Sequence, residues 1–224
     1  MPDLMRLLQI ADASFPAGGF AFSGGLESVA KSGYMKTLED FRQYLECHLE
    51  QIASAELPFL NSAFAAAPRS EAFIEVAREW DAWLFLPSPR RASLSQGQGW
   101  ARAMEAAQAA PEVAEVRPWF IRSGLPLHFM MAFAATLAAS GFKVGDAQRL
   151  LLHLALRDQL GAAVRLGLVG SLQAQNLHRD HIAFGESLRA ARADWTHEDA
   201  VRAAPMIELG QASHPHLYSK LFQS

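Results

Sequence analysis

The chain has 224 residues, 50% of them hydrophobic and 19% charged, enough apolar surface to fill a core and exclude wholesale disorder. Its formal net charge of -3 offers no basic field for a nucleic-acid backbone. A mean hydropathy of +0.03 favours protein surfaces over membranes as partners.

The length favours one domain, here residues 1–224, over two. A lone cysteine, Cys47, can form neither an internal disulfide nor a thiolate metal site, which suits a reducing cytoplasm. Helical signals dominate, and strict apolar–polar alternation does not persist. A first helix is expected from about Pro2 to Ala11, with Leu4, Leu7, Leu8 and Ala11 on one face. Its apolar run, interrupted by Asp3 and Arg6, is too short for a signal peptide. Ser14 to Gly25 follows, where glycines and Pro16 stop regular structure. A short helix from Leu26 to Lys31 should end at Gly33.

Thr37 with Asp40 forms a capping-box pair that opens a third helix, carrying Phe41, Leu45, His48, Leu49 and Ile52 at helical spacing. Pro58 should kink or restart it. Ser70 caps a further helix, and Ser88 before Pro89 is another start signal. The alanine-rich stretch from Arg102 ends at Pro111. Leu125 to Ala139 spans about fifteen residues, short of the ~20 a membrane helix needs, and contains His128. It reads as a buried core helix that ends at Gly141. A long helix is expected from Ala147 to about Asn176, with Asp146 as its cap. Thr196 with Asp199 caps a short late helix, which Pro205 ends. An extended tail, about residues 205–224, should project from a single all-α bundle.

The glycine-rich stretch is not a phosphate loop, because Leu26 and Glu27, not lysine and serine, follow Gly25. Ser23 lacks the flanking glycines of a nucleophile elbow. Two readings remain: a tight turn where helices approach closely, or a partner-binding loop anchored by Phe15, Phe20 and Phe22. Between Arg157 and Ser171, Arg157, Gly161 and Arg165 share one helical stripe beside Leu156, Leu160, Val164 and Leu168. Each helical glycine costs roughly 1 kcal/mol relative to alanine. Gly161, Gly167 and Gly170 therefore call for close packing, either within the core or at a dimer or partner interface. Gln159 and Arg165 need polar partners if buried. His178 with His181, and His214 with His216, fall short of the three or four ligands a metal site takes, and they read as surface residues. Glu39, Asp40, Glu46 and Glu50 read as a solvated face rather than acid–base machinery.

Leu7 to Gly33 resembles the N-terminal signature of the UreF family of urease accessory proteins. Pro16, Gly18, Gly19, Phe20, Ser23, Gly25, Leu26 and Glu27 stand at matching positions. A second block is similar at Gln159, Ala162, Ala163, Arg165 and Gly170. A third is similar at His214, Tyr218, Ser219, Leu221, Phe222 and Ser224. A weaker likeness lies at Arg90, Ala92, Ser93 and Gly97. The N-terminal block is the most specific, and the three occur in the family's order. The chain departs at Pro87–Pro89, at Leu168 and Ser171, at Ser213–Pro215 and at Lys220, where the family favours arginine. Lysine keeps that charge but loses the planar fork.

The resemblance implies an all-α, non-enzymatic, dimerising scaffold without a cofactor of its own. Its implied partners are the accessory protein UreD/UreH, the nickel-binding GTPase UreG and apo-urease, to which Ni²⁺ is delivered. It also implies that Tyr218, Lys220 and Phe222 make tail contacts, and that Gly18, Gly19 and Phe20 shape a central loop. Phe15, Pro16, Ser23, Gly25, Gln159, Arg165 and His214 complete the expected partner-binding set. A competing reading has Arg157 or Arg165 modulate the GTPase in trans. A third is an unrelated enzyme or metal carrier using His178, His181, His214 and His216.

Overall fold

The computed structural model describes residues 4–223, so the expected helix start at Pro2, and Ser224, lie outside the described residues. Every regular element among them is helical. Helix α1 (Leu4–Ala11) buries Ile10 and packs Leu7 and Ala11 against the core. Leu4 and Leu8 were expected on that face, yet they point outward, and Leu8 is 54% exposed. The inward stripe is 7–10–11, the i, i+3, i+4 set.

A 3₁₀ turn (Gly19–Ala21) lies inside the glycine-rich stretch, and α2 (Leu26–Lys31) follows. Helix α3 (Leu38–Gln51) opens on the expected capping box. The Asp40 amide donates to Thr37 Oγ1 at 3.1 Å, and Asp40 Oδ2 accepts the Thr37 amide at 2.8 Å. Thr37→Ala should cost about 1 kcal/mol in urea unfolding, because one of these end amides loses its acceptor.

The expected break at Pro58 is a π-helical turn (Ile52–Glu56) leading into α4 (Leu57–Ala65). Proline has no amide to offer the Ser54 carbonyl one turn back. The Val201 amide takes that place, at 3.0 Å, and so ties the late chain to α4. Helix α5 (Glu71–Trp83) carries the expected cap, with the Phe73 amide on Ser70 Oγ at 3.1 Å. Helix α6 (Pro87–Gln108) begins before the Ser88–Pro89 signal, because Pro87 already fits the first helical position. Short helices α7 (Pro111–Ala114) and α8 (Val116–Ser123) lead to α9 (Phe129–Ala139), which is buried from Met130 to Leu137. Helices α4 and α6 pack on α9, and Trp100 Nε1 donates to Thr136 Oγ1 at 2.8 Å in its centre.

The expected long helix is two: α10 (Val144–Arg165) and α11 (Ser171–Ala191). Gly167 takes a φ of 73°, and the Leu168 amide closes back on the Ala163 carbonyl at 3.0 Å. That is a glycine C-terminal stop, which needs the left-handed conformation. Gly167 and Gly170 are therefore a stop and a start, not a packing stripe. Gly161 is exposed, and a Cβ there would meet nothing within 4 Å, so close packing inside the chain does not explain it.

A 3₁₀ turn (His197–Asp199) holds the expected Thr196–Asp199 cap. The extended tail does not form as expected. Pro205 starts helix α12 (Pro205–Ser213) rather than ending one, since proline at the first turn gives up only an unpaired amide. A 3₁₀ turn (His214–His216) follows, and Phe222 is buried. One apolar cluster runs from Ile10 to Phe222.

Burial depresses four imidazoles, His48 to about 4, and His128, His153 and His178 in the same direction. The unfolded chain, with histidines near 6.5, then binds protons first as pH falls. Their stabilisation is complete above about 6.5 and is lost below it. Burial pushes Glu56 up to about 7, so its contribution is present at low pH and lost as pH rises through that value. Burial raises Asp158 as well as Glu56, and the four imidazoles act against these two carboxyls. The urea midpoint should fall between about pH 7.5 and about pH 5. An unchanged midpoint would count against these burials.

Candidate partner interface

Three segments far apart in the chain converge on one face: the glycine-rich stretch, the end of α10, and residues 214–223. Their hub is Glu27 on α2, whose side chain is 0% exposed. Its carboxylate receives Lys31 Nζ at 2.7 Å, the Leu221 amide at 2.8 Å and the Phe222 amide at 3.1 Å. His214 Nε2 lies 3.1 Å away. Burial raises this carboxyl, but Lys31, the two amides and His214 together hold it at about 2. An ionised buried carboxylate is tolerable only when so satisfied.

The neighbouring backbone is equally committed. Gln159 Nε2 donates to the Ser23 carbonyl at 3.0 Å, and the Gln223 amide to the Ala21 carbonyl at 2.9 Å. Helix α12 crosses the start of α2 without room for a side chain. A Cβ at Gly210 would stand 2.9 Å from the Gly25 carbonyl oxygen, and one at Gly25 would stand 3.1 Å from the Ile207 oxygen. Arg157 Nη1 donates to the Ala11 and Asp12 carbonyls at 2.9 and 3.0 Å, and Arg157 pairs with Asp158 at 2.7 Å. Burial raises the Asp158 carboxyl, against the pull of Arg157 and Arg165.

Arg165, the last residue of α10, joins the three segments. Its guanidinium carbon lies 3.6 Å from the Phe20 ring centroid and 4.2 Å from that of Phe222. The expected site residues therefore meet, but they divide into two roles. Ser23, Gly25, Gln159, His214 and Phe222 are buried and build the frame. Phe15, partly buried, joins the frame too, packed edge-on against Trp100 at 5.4 Å. Pro16, Gly18, Phe20, Tyr218 and Lys220 face outward, with Gly19 and Arg165 half-buried between the sets. Phe20 is 71% exposed. Glu27 and Leu221 were outside the expected set. The signal for Glu27 was there to read, as the one charge in the small and apolar run from Phe15 to Ala30.

Beneath the loop lies a half-enclosed cavity of about 230 Å³ that reaches His48, Glu56, Trp80 and Gln159. The histidines do not act in the expected pairs. His181 and His214 are buried rather than at the surface. His178 meets His153, at 5.3 Å between ring centroids, and His181 Nδ1 lies 2.7 Å from the Leu177 carbonyl. Among the described residues, no three histidine, cysteine, aspartate or glutamate side chains gather in a way that could hold a metal ion. No helix among them is long and apolar enough to cross a membrane.

The UreF family profile matches residues 35–181, more than half of the chain. The chain belongs to the UreF family. Relatives named urease accessory protein F match far beyond that span. The protein of Oryza sativa subsp. indica is 29% identical over 218 residues, 96% of this chain and 82% of its own. That of Arabidopsis thaliana is 28% identical over 218 residues, covering 96% and 90%. A relative from Trichodesmium erythraeum, named urease accessory protein UreF, is 23% identical over 223 residues, covering 97% and 95%. UreF membership thus rests on residues 35–181, the helical middle of the chain.

Proposed function

We propose that this UreF protein serves urease maturation as a non-catalytic scaffold. The exposed rim of loop and tail holds a UreD/UreH-type accessory protein, and the assembly recruits a UreG-type GTPase that brings nickel to apo-urease. A second copy of the chain completes the assembly as a homodimer. The work takes place in the cytoplasm, with residues 1–224 acting as one unit.

The observation that supports this reading is the division of labour at the interface. Buried polar bonds around Glu27 hold the frame rigid. Outside it stand Phe20, Tyr218 and Leu221, large apolar or aromatic side chains that are mostly exposed. Aromatic anchors on a preorganised frame are what protein recognition uses.

Co-purification with the UreD/UreH-type and UreG-type proteins of the same genome tests the reading. Tyr218→Ala should leave the unfolding midpoint unchanged, because the side chain is fully exposed, and weaken capture about tenfold. Soluble partners that fail to associate with the wild-type chain would remove the scaffold role.

A further inference from the structure

We propose that Arg165 is a preorganised receptor for one carboxylate of a partner protein. This rests on the scaffold reading above and adds the chemistry of one contact. The guanidinium is clamped between Phe20 from the loop and Phe222 from the tail, at 3.6 and 4.2 Å from the two centroids. Stacking fixes the plane of the fork before any partner arrives, so little side-chain freedom is left to lose. Its only hydrogen bond among the described residues is a long one, from Nε to the Gly161 carbonyl at 3.4 Å. Neither terminal nitrogen has an acceptor there. Gly161 also leaves the preceding turn open, since a Cβ would meet nothing within 4 Å.

The surroundings select the occupant. Asp158 is hydrogen-bonded by Arg157, and its charge also attracts Arg165 without a hydrogen bond between them. Arg157 itself is spent on Ala11 and Asp12, Lys31 on Glu27 and Ser219, and Lys220 on the Pro215 carbonyl. Half-buried at the rim, Arg165 keeps two terminal nitrogens without a hydrogen-bond acceptor among the described residues. It stands at the C-terminal end of α10, where the helix dipole is negative. A phosphate, with nearly two charges, asks for several cations or a helix N-terminus. A single carboxylate needs one fork. Phe20, 71% exposed, and Leu221, 58% exposed, supply apolar ground beside it, so the carboxylate belongs to an aspartate or glutamate in an otherwise apolar protein surface.

The test titrates the wild-type chain, R165K and R165A calorimetrically against the UreD/UreH-type protein. A second set uses the UreG-type GTPase, nucleotide-free, with GDP and with GTP. Both variants should lose about 30-fold or more in affinity for one of these proteins, whatever the nucleotide. R165K is decisive, because it keeps the charge and loses the fork. R165K binding at wild-type strength overturns the proposal, as does a loss seen only with GTP bound, which assigns the contact to phosphate. Should either variant lose hydrogen-exchange protection of the tail, the wild-type chain decides: affinity that falls with rising salt supports the receptor, and salt-independent affinity overturns it. Wild-type protein that binds neither partner overturns the scaffold reading and the receptor with it.

Discussion

Replacing Glu27 by leucine should cost about 3–5 kcal/mol of stability. The side chain is fully buried, and four donors converge on its two oxygens. Leucine fills similar space but accepts no hydrogen bond, so it strands the Leu221 and Phe222 amides and the Lys31 and His214 nitrogens. Lys31 is partly exposed and recovers water at little cost. His214 and Phe222 are buried and do not. The loss should appear as a lower urea midpoint together with rapid hydrogen exchange at residues 219–223. Glu27→Gln keeps one acceptor oxygen and should cost less. A leucine variant as stable as the wild type, with a protected tail, would show that the carboxylate does not hold the tail. The contribution is also pH-dependent. With the folded carboxyl at about 2, its stabilisation is present above the ordinary glutamate range and disappears as pH falls from there toward 2.

The second large effect lies in the core. Trp100→Ala should destabilise the protein by about 3–5 kcal/mol. Trp100 is completely buried, meets Phe15, Phe129 and Phe133 at 5.4, 5.6 and 4.9 Å between centroids, and donates to Thr136. Phe15 belongs to the glycine-rich stretch, so the cavity would loosen the loop as well as the bundle. Calorimetric unfolding with hydrogen exchange over residues 14–22 checks both parts. Trp100→Phe retains most of the packing and should cost less than half as much. Equal losses in the two variants would place the effect in the indole hydrogen bond rather than in packing.

Caps and core helices were legible because they depend on residues close in sequence. Thr37 with Asp40, Ser70, and the apolar run into Leu137 each announce a local preference that the fold keeps. The misreadings came from residues with two uses. A glycine inside an apolar run reads as a small packing residue or as a left-handed stop, and only the backbone of Gly167 separates the two. A proline after a helical segment ends it or starts the next, and Pro205 starts one. Leu8 looks like Leu7, yet only one of them has a neighbour to pack on.

The candidate interface was half legible for the same reason. The segment resemblances named stretches that converge in the fold, but not which of their side chains turn inward. Phe20 and Phe222 are the same residue type in matching blocks, and they lie on opposite sides of one guanidinium, one exposed and the other buried. That difference is set by contacts across nearly the whole chain, which local patterns do not carry. The tail shows the cost of missing them. Read as an extended, projecting tail it would be free to search for partners, whereas here it is bonded down along Glu27 and holds Tyr218 and Leu221 exposed on a fixed base.

The scaffold account is tested most directly by hydrogen exchange of the full chain, alone and in complex with its UreD/UreH-type partner. Residues 16–22 and 216–222 should gain protection together on binding, while α4 and α9 stay as they were. Protection gained elsewhere, with these two segments unchanged, would contradict it.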